Sequence, residues 1–313
     1  MRLYLAPMEG ITGCYMRRRM NEHFGGIDVF MTPFLPASKN LNAKQRRDLD
    51  PANNPGMNLV PQLIGNVASE ITEMTKKMED MGYREVNINL GCPSGTVTSK
   101  KRGSGFLQEP EALDAFLEEV YDKSPLPVSI KTRIGFSSPE EWDRLIQIYA
   151  KYPISELVIH PRTRSEFYNG LPHREAFRQA IEVIGASIPL VYNGNLFTQA
   201  DYESLQEDFP ETDRFMMGRG LIARPDLARV LKGGNAATME ELRDYHDGLV
   251  ADYRCIFQGD RDMIFHMKEV WSYLRESFTG SEKGWKMIKK ANTLTEYQLA
   301  VQYIWKECEV SKR

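Results

Sequence analysis

Eight short runs of β-branched and aromatic residues, each bounded by turn residues, recur between residues 1 and 220. These runs are residues 3–8, 29–34, 59–64, 85–90, 127–132, 156–161, 189–194 and 214–219. Amphipathic segments with helical periodicity, such as residues 68–82 and 110–123, lie between most of them. Eight strands that alternate with helices predict a (β/α)8 TIM barrel, an α/β fold. A doubly wound sheet is the alternative, but it would normally need fewer strands.

The alternation stops near Asn235, after a pair of glycines. From residue 238 onward we find no strand candidate, and four segments have the periodicity of amphipathic helices: residues 238–257, 264–278, 281–292 and 295–310. The sequence therefore predicts a barrel domain over residues 1–235 and a small all-helical C-terminal domain over residues 236–313. Residues 35–57 are long, polar and proline-bearing, and we expect a loop over the active face of the barrel.

Composition excludes several classes of protein. No apolar run approaches the roughly 20 residues of a membrane helix, and the start of the chain meets Glu9 early, so we expect neither an anchor nor a signal peptide. Four cysteines, Cys14, Cys92, Cys255 and Cys308, lie far apart. This spacing argues against a disulfide framework and a zinc ribbon and fits a reducing cytoplasm. The net charge is −3, so any contact with nucleic acid must come from local patches.

Polar side chains are dense at the carboxyl ends of the predicted strands, which in a TIM barrel converge on one site. The residues there are Pro7, Met8, Glu9, Gln62, Asn87, Asn89, Cys92, Lys131, Arg133, His160, Arg162, Asn193, Gly194, Asn195, Gly218 and Arg219. The Asn-Gly-Asn and Gly-Arg-Gly stretches follow strands seven and eight, where barrels often bind a phosphate. The sequence therefore predicts a phosphorylated ligand.

Each of these residues alone has a structural explanation. A cysteine at a strand end is more often packed than catalytic, Lys131 could lie along the surface, and a lone histidine such as His160 is more often structural. Their occurrence together on the strand ends of one barrel favours a functional site.

Seven motifs occur in order along the chain: LAPMEGIT, PQLIG, NINLGCPSGTV…GSGFLQEP, SIKTRIG, VIHPRTR…Y.G, VYNGN and MMGRG. With these motifs the chain resembles the tRNA-dihydrouridine synthases, flavin-dependent reductases of uridines in tRNA. The resemblance covers the whole chain, including the C-terminal helices. The Gly-Cys-Pro segment with its downstream glycines is the most specific part, because many flavin barrels share the other glycines.

The resemblance implies an FMN cofactor in the barrel mouth, reduced by NADPH or NADH. The expected cofactor contacts are Pro7, Met8 and Glu9 beneath the ring, Gln62 at its edge, Lys131 on its pyrimidine side, His160 near flavin and uracil, and Asn193, Gly194, Asn195, Gly218 and Arg219 around the phosphate.

The resemblance also implies how the substrate is handled. A hydride goes to carbon-6 of a uracil, and Cys92 gives a proton to carbon-5. Asn89 is expected at the uracil edge, with Arg133 and Arg162 contacting the base or its phosphate. The uridine must be flipped out of the tRNA to reach a buried flavin.

Phosphate contacts are expected to supply much of the affinity for tRNA. The candidates are residues 39–47, Lys100, Lys101, Arg102, Lys268, Arg275, Lys283, Lys286, Lys289 and Lys290, although a single lysine is more often part of a solvated face. The aromatic residues Trp271, Tyr273, Trp285 and Trp305 are expected in the core of the helical bundle. We expect a cytoplasmic monomer without a metal.

Gly13, Gly95, Pro161 and Asn195 depart from residues frequent in the family, which leaves the subfamily and the modified uridine open. Three other functions also stay open. They are a flavin dehydrogenase of a free pyrimidine, a phosphosugar aldolase with Lys131 as Schiff base, and a non-catalytic tRNA-binding module.

Overall fold

The computed structural model of the chain describes residues 1–37 and 40–311. Its strands are β1 (Arg2–Leu5), β2 (Val29–Met31), β3 (Leu35–Pro36), β4 (Leu59–Val60), β5 (Gln62–Ile64), β6 (Val86–Leu90), β7 (Val128–Gly135), β8 (Leu157–Thr163), β9 (Leu190–Tyr192), β10 (Arg214–Met217), β11 (Phe278–Thr279) and β12 (Glu309–Val310). Its helices are α1 (Cys14–His23), α2 (Ala43–Leu49), α3 (Ala68–Asp80), α4 (Gly95–Thr98), α5 (Pro110–Lys123), α6 (Trp142–Tyr149), α7 (Arg174–Ile184), α8 (Gln199–Asp208), α9 (Arg219–Ala223), α10 (Leu227–Leu231), α11 (Met239–Ile256), α12 (Asp260–Leu274), α13 (Glu282–Lys290) and α14 (Leu294–Glu307). Short 3-10 helices cover Pro51–Asn53, Gly103–Gln108, Pro139–Glu141 and Arg275–Ser277.

Strands β1 to β10 form a parallel barrel that closes through residues 59–64. β4 pairs with β2, and β5 pairs with β6. Pro61 separates these two halves of one strand because it has no N–H to donate to a ladder, but its carbonyl oxygen accepts from the backbone N–H of Asn87 at 2.9 Å. β1 lies between β10 and β2. All eight predicted strands are present, and the predicted TIM barrel is confirmed.

The barrel interior is apolar on one side and polar on the other. Side chains that range from alanine and valine to methionine and tyrosine fill the apolar side: Tyr4, Ala6, Val29, Met31, Val60, Val158, Val191 and Met216. The inward positions of β5, β6 and β7 instead carry Gln62, Asn87 and Ser129, which are fully buried. Gln62 Nε2 donates to Asn87 Oδ1 at 2.8 Å, and Asn87 Nδ2 donates to Ser129 Oγ at 3.0 Å. The chain of bonds is necessary because an unpaired buried amide costs about 1–3 kcal/mol.

The segment between β2 and β4 has structure of its own and is not the plain loop that its polarity predicted. It contains β3, α2 and the 3-10 helix Pro51–Asn53. The overlooked signal is a capping box at the start of α2, where Asn42 accepts from the backbone of Gln45 and Gln45 accepts from the backbone of Asn42. The fully buried Arg17 fixes the segment to α1, since its guanidinium donates to the carbonyl oxygen of Asp48 at 2.8 Å and to Asn54 Oδ1 at 2.8 Å. Residue 39, the first of the predicted RNA-contacting segment 39–47, lies outside the described residues.

Helices α11 to α14 make up most of the C-terminal region, as predicted. The prediction that this region has no strand is wrong at one place, because β11 and β12 form a short antiparallel pair. Two-residue strands show no periodicity, so this non-local pairing could not be recognised in the sequence. α11 is fastened to the barrel helix α1, since Asp252 pairs with Arg18 at 2.9 Å and with Arg19 at 2.8 Å. The domain boundary near residue 235 stays a prediction. No helix in the described part of the chain is long and apolar enough to cross a membrane.

The close approach of α9 to the loop after β9 generates a test of stability. A Cβ atom at Gly220 would lie 2.0 Å from the carbonyl oxygen of Leu196. We expect Gly220→Ala to lower the free energy of unfolding by about 1–3 kcal/mol, since the backbone must move to relieve the overlap. Urea denaturation measures this change. Gly259→Ala is the control, because Gly259 has an extended φ of −173° and a Cβ there would have no atom within 4 Å. Equal losses in both variants would contradict the close approach.

Candidate functional site

Two adjoining pockets open at the carboxyl ends of the barrel strands. The Arg219 pocket is lined by Ala6, Pro7, Met8, Lys131, His160, Tyr168, Asn193, Gly194, Leu196, Phe197, Gly218, Arg219 and Gly220. The Cys92 pocket is lined by Pro7, Met8, Glu9, Ile11, Pro33, Phe34, Asn89, Gly91, Cys92, Pro93, Lys131, Arg133, His160, Tyr168, Glu269 and Tyr273. Five residues belong to both: Pro7, Met8, Lys131, His160 and Tyr168. The two pockets are therefore the ends of one site.

The Arg219 pocket lies where β9 and β10 end. Gly218 follows β10 and brings its backbone close to β1, since a Cβ there would lie 3.3 Å from Ala6 Cβ and from the sulfur of Met8. Asn195 Oδ1 accepts from Arg162 Nη2 at 3.2 Å and from Arg219 Nη2 at 3.1 Å. The asparagine therefore sets two guanidinium groups side by side, although its own side chain is not part of the pocket lining.

Positive charge dominates the floor of the site. Burial, and then the nearby Arg133, lower the pKa of Lys131 to about 7. Burial also lowers the pKa of Arg133 to about 10. The pKa of Arg162 is lowered by burial and then by Arg219. Buried cations with few neighbouring carboxylates lower one another's pKa values in this way. The site is therefore suited to an anionic ligand.

His160 stands among these cations as a neutral imidazole. Burial, followed by the charges of Arg133 and Lys131, lowers its pKa well below the usual value. Arg162 Nη1 lies 3.1 Å from His160 Nε2. A guanidinium can only donate, so Nε2 accepts and the ring proton is on Nδ1. The ring thus keeps one N–H for a ligand.

The turn that carries Cys92 is fixed by its own strand and by a distant serine. β6 ends at Leu90, and Asn89 Oδ1 accepts from the backbone N–H groups of Gly91 at 3.0 Å and Cys92 at 2.8 Å. The carbonyl oxygen of Cys92 accepts from Ser104 N at 3.1 Å and from Ser104 Oγ at 2.8 Å. The predicted motif of Gly-Cys-Pro with downstream glycines thus forms one rigid unit.

Two arginines complete the support of this turn. Arg133 Nε donates to the carbonyl oxygen of Gly91 at 3.0 Å, and Arg164 Nε donates to that of Pro93 at 3.2 Å. Burial raises the pKa of the Cys92 thiol, although a backbone hydrogen bond at Ser94 and the charge of Arg133 oppose the rise. The group therefore keeps its proton at neutral pH and is suited to donating it, rather than to nucleophilic attack as a thiolate.

Four of the residues predicted at the strand ends do not line either pocket. Gln62 and Asn87 are fully buried, with Gln62 Nε2 on Asn87 and Gln62 Oε1 accepting from Asn89 Nδ2 at 2.8 Å. Arg162 is also fully buried. Asn195 is the fourth, as described above. In the geometry of this structure, Gln62 and Asn195 act on the site by holding Asn89 and the two arginines in place.

Among the pocket-lining residues that sequence reasoning missed, three have polar side chains: Tyr168, Glu269 and Tyr273. Tyr168, in the loop after β8, is contacted by the guanidinium of Arg219 at 4.4 Å and that of Arg133 at 5.6 Å from its ring centre. Glu269 and Tyr273 reach the Cys92 pocket from α12. Tyr168 lies in the quoted motif after β8 and could have been found there. Tyr273 packs half-buried against the hydrophobic core, as expected, and it also lines the Cys92 pocket, which helical periodicity does not show. The expectation of a core position also holds for the fully buried Trp271.

The predicted RNA-contacting cations lie outside both pockets, and several have partners within the protein. Lys101 pairs with Glu109 at 2.6 Å, Arg102 with Glu70 at 3.8 Å and Arg275 with Glu276 at 3.0 Å. Lys283 and Lys289 lie over the rings of Tyr303 and Trp285. Lys100, Lys286 and Lys290 are exposed, and Lys268 is half-buried. Within residues 1–37 and 40–311, no group of three or more His, Cys, Asp or Glu side chains could hold a metal ion.

Comparison with known proteins places this geometry in a family. The family described as Dihydrouridine synthase (Dus) matches residues 4–306. The chain is 32% identical over 256 residues to a tRNA-dihydrouridine(16) synthase of Pseudomonas putida, covering 78% of this chain and 76% of the relative. It is 28% identical over 322 residues to a tRNA-dihydrouridine(16) synthase of Escherichia coli, and the match covers 97% of this chain and 98% of that relative.

Solved structures support the barrel independently of sequence. Morphinone reductase superposes with a TM-score of 0.53 at 14% identity, over 75% of this chain and 86% of that one. An old yellow enzyme homologue from Zymomonas mobilis superposes with a TM-score of 0.52 at 12% identity, over 75% of this chain and 90% of the homologue. At this identity the likeness concerns the fold alone. The match over residues 4–306, together with the relatives above, shows that the chain belongs to the dihydrouridine synthase family of oxidoreductases.

Proposed function

We propose that the chain reduces a uridine of tRNA to 5,6-dihydrouridine with FMN as cofactor and NADPH or NADH as the reductant. The observation that carries the proposal is the joining of the two pockets. Cys92 lines one end and Arg219 the other, while Lys131 and His160 face both. A proton donor and a cationic ligand site thus share one cavity, as the reduction of a carbon–carbon double bond beside a phosphorylated cofactor requires.

The residues of the Arg219 pocket fit FMN. Gly194 and Gly218 leave the backbone open, and the guanidinium of Arg219 faces the pocket between them, which suits a phosphate. Pro7 and Met8 offer an apolar face to a flat ring, and Lys131 and His160 offer donors to its polar edge. When bound, the flavin supplies the hydride that reaches carbon-6 of the uracil.

Cys92 completes the reduction in this proposal. Its Sγ gives a proton to carbon-5, so that one hydride and one proton together saturate the double bond, and solvent then restores the thiol. The raised pKa of Cys92 keeps the proton in place until it is needed. The bonds from Asn89 and Ser104 to the Cys92 backbone hold the sulfur in one position.

The tRNA and the position modified are inferred from the relatives. Two of them carry the name tRNA-dihydrouridine(16) synthase, and we propose uridine 16 as the target of this chain as well. Residues 236–313 would form the tRNA-binding domain, with exposed lysines such as Lys286 and Lys290 contacting phosphates. A monomer acting in the cytoplasm is part of the same proposal.

Replacing the thiol tests the function and the proton donor separately. Unmodified tRNA is incubated with the flavin-loaded protein and NADPH, and mass spectrometry of nuclease fragments locates any two-dalton gain. We expect wild type to modify uridine 16 and Cys92→Ala to be slower by about 10²-fold, because it lacks the acid. Reduction of the bound flavin by NADPH should be unchanged in the variant.

Cys255→Ala, which removes an exposed thiol of α11, is the matched control. Wild-type protein that takes up flavin but leaves tRNA unchanged would contradict the proposed function. A parallel sample with free uracil then tests the alternative of a free-pyrimidine enzyme. Full activity of Cys92→Ala would contradict only the role of the thiol.

The lowered pKa of Lys131 gives a pH-dependent prediction for the ligand-free protein. The folded-state pKa of about 7 lies below the ordinary value near 10.5, so the unfolded chain binds more protons between these pH values. The stability of wild type should therefore rise from pH 7 to pH 10 relative to Lys131→Met. At pH 6 the methionine variant should be the more stable by roughly 2 kcal/mol, a figure reduced for solvent screening of a half-buried group. Urea denaturation at pH 6 and pH 9.5 measures the difference in the free energy of unfolding between the two proteins. A difference that stays the same at pH 9.5 would contradict the prediction.

A further inference from the structure

A phenylalanine on α12 is exposed beside the active site. Phe265 has 76% of its surface open to solvent. Within residues 1–37 and 40–311, no aromatic ring or cation packs against it. A single exposed aromatic residue is ordinary on a protein surface, so its meaning depends on what lies next to it.

Phe265 belongs to a stripe of side chains that leads into the Cys92 pocket. Phe265, Glu269 and Tyr273 follow one another at intervals of four residues, so they share one face of α12. Glu269 and Tyr273 line the pocket that contains Cys92. The phenyl ring therefore stands one helical turn, about 6 Å along the axis, outside the pocket mouth.

Charges of both signs lie near this stripe: Glu269 belongs to it, and Asp260 and Asp262 begin α12, while Lys44 and Arg261 are the nearby cations. Lys44 of α2 lies 3.3 Å from Glu9, which lines the same pocket. Lys44 also acts on His266, the neighbour of Phe265, because its charge adds to burial in lowering the pKa of that imidazole to about 4. Arg261 is exposed one turn before Phe265 on α12. The charge around the stripe is therefore mixed, and the features that distinguish it are the exposed ring and its continuity with the Cys92 pocket.

We propose that Phe265 stacks on an unpaired base of tRNA adjacent to the uridine that enters the Cys92 pocket. This rests on the proposed function, because it assigns a neighbouring nucleotide to the surface next to the same site. Stacking suits the position, since flipping one nucleotide unstacks its neighbour, and every base offers a π-face. The continuity of the stripe with the pocket fixes which nucleotide is involved: one next to the target in the chain.

Three variants test the proposal in the full-length, flavin-loaded protein. Phe265→Ala removes the ring, and Phe265→Trp keeps a stacking surface. Leu299→Ala, on α14, removes another apolar side chain that is 58% exposed. We measure KM and kcat for dihydrouridine formation in unmodified tRNA, and the Kd of the same tRNA by fluorescence anisotropy at several salt concentrations.

We expect Phe265→Ala to raise KM and Kd by about 10-fold or more, with Phe265→Trp and Leu299→Ala near wild type. The slope of log Kd against log salt should stay unchanged in Phe265→Ala, because no phosphate contact is lost. Reduction of the bound flavin by NADPH should also be unaffected. The unchanged salt dependence would exclude the loss of a phosphate contact, and the unchanged flavin reduction would exclude a general loss of structure.

Two results would overturn the proposal. One is a Kd of Phe265→Ala equal to that of wild type, which would leave the ring to a protein partner or to no partner. The other is an equal loss in Phe265→Trp, which would show that shape rather than an aromatic face matters. If wild-type protein binds tRNA but makes no dihydrouridine, the proposed function fails, and the Kd values still decide on stacking.

Discussion

Positive charge gathered at the carboxyl ends of β7 and β8 is the constraint on which the site depends. Lys131 and Arg133 stand on β7, while Arg162 follows His160 on β8, and Arg219 begins α9. Burial of such charges is costly, and their mutual repulsion adds to the cost, which is why the pKa values of Lys131, Arg133 and Arg162 are all lowered. The protein holds them together through neutral acceptors, so the cluster retains its affinity for an anion.

The polar side of the barrel interior connects this cluster to the thiol. Hydrogen bonds run from Ser129 through Asn87 and Gln62 to Asn89, and Asn89 then accepts from the backbone of Cys92. An interior filled with aliphatic side chains would pack well but could not orient a turn. Each amide in the chain has its acceptor and donor satisfied by the next, which makes the arrangement unique as well as stable. The position of the Cys92 sulfur therefore depends on the hydrogen-bonded side chains in the barrel interior.

The sequence predicted those features that depend on local pattern. Eight strands and the four C-terminal helices were recognisable from their periodicity, and Cys92 was recognisable from its place at the end of one strand. Features that depend on long-range packing were not. Gln62 stays a predicted cofactor contact, but its hydrogen bonds to Asn87 and Asn89, which follow from the pairing of β5 with β6, were not foreseen. Tyr273 packs against the core as expected, but the periodicity of α12 does not show that the same side chain also lines the Cys92 pocket.

The C-terminal region is a wall of the active site as well as an appendage of the barrel. Glu269 and Tyr273 close one side of the Cys92 pocket, and α11 is held to α1 by the two arginines paired with Asp252. A ligand in the Cys92 pocket therefore lies beside α12. A barrel that reduced only a small free pyrimidine would need no such wall extending outward to exposed side chains. A nucleotide still attached to its RNA would need one, because the chain on either side of the flipped base must leave the pocket along a surface, and α12 is the surface that begins at the pocket mouth.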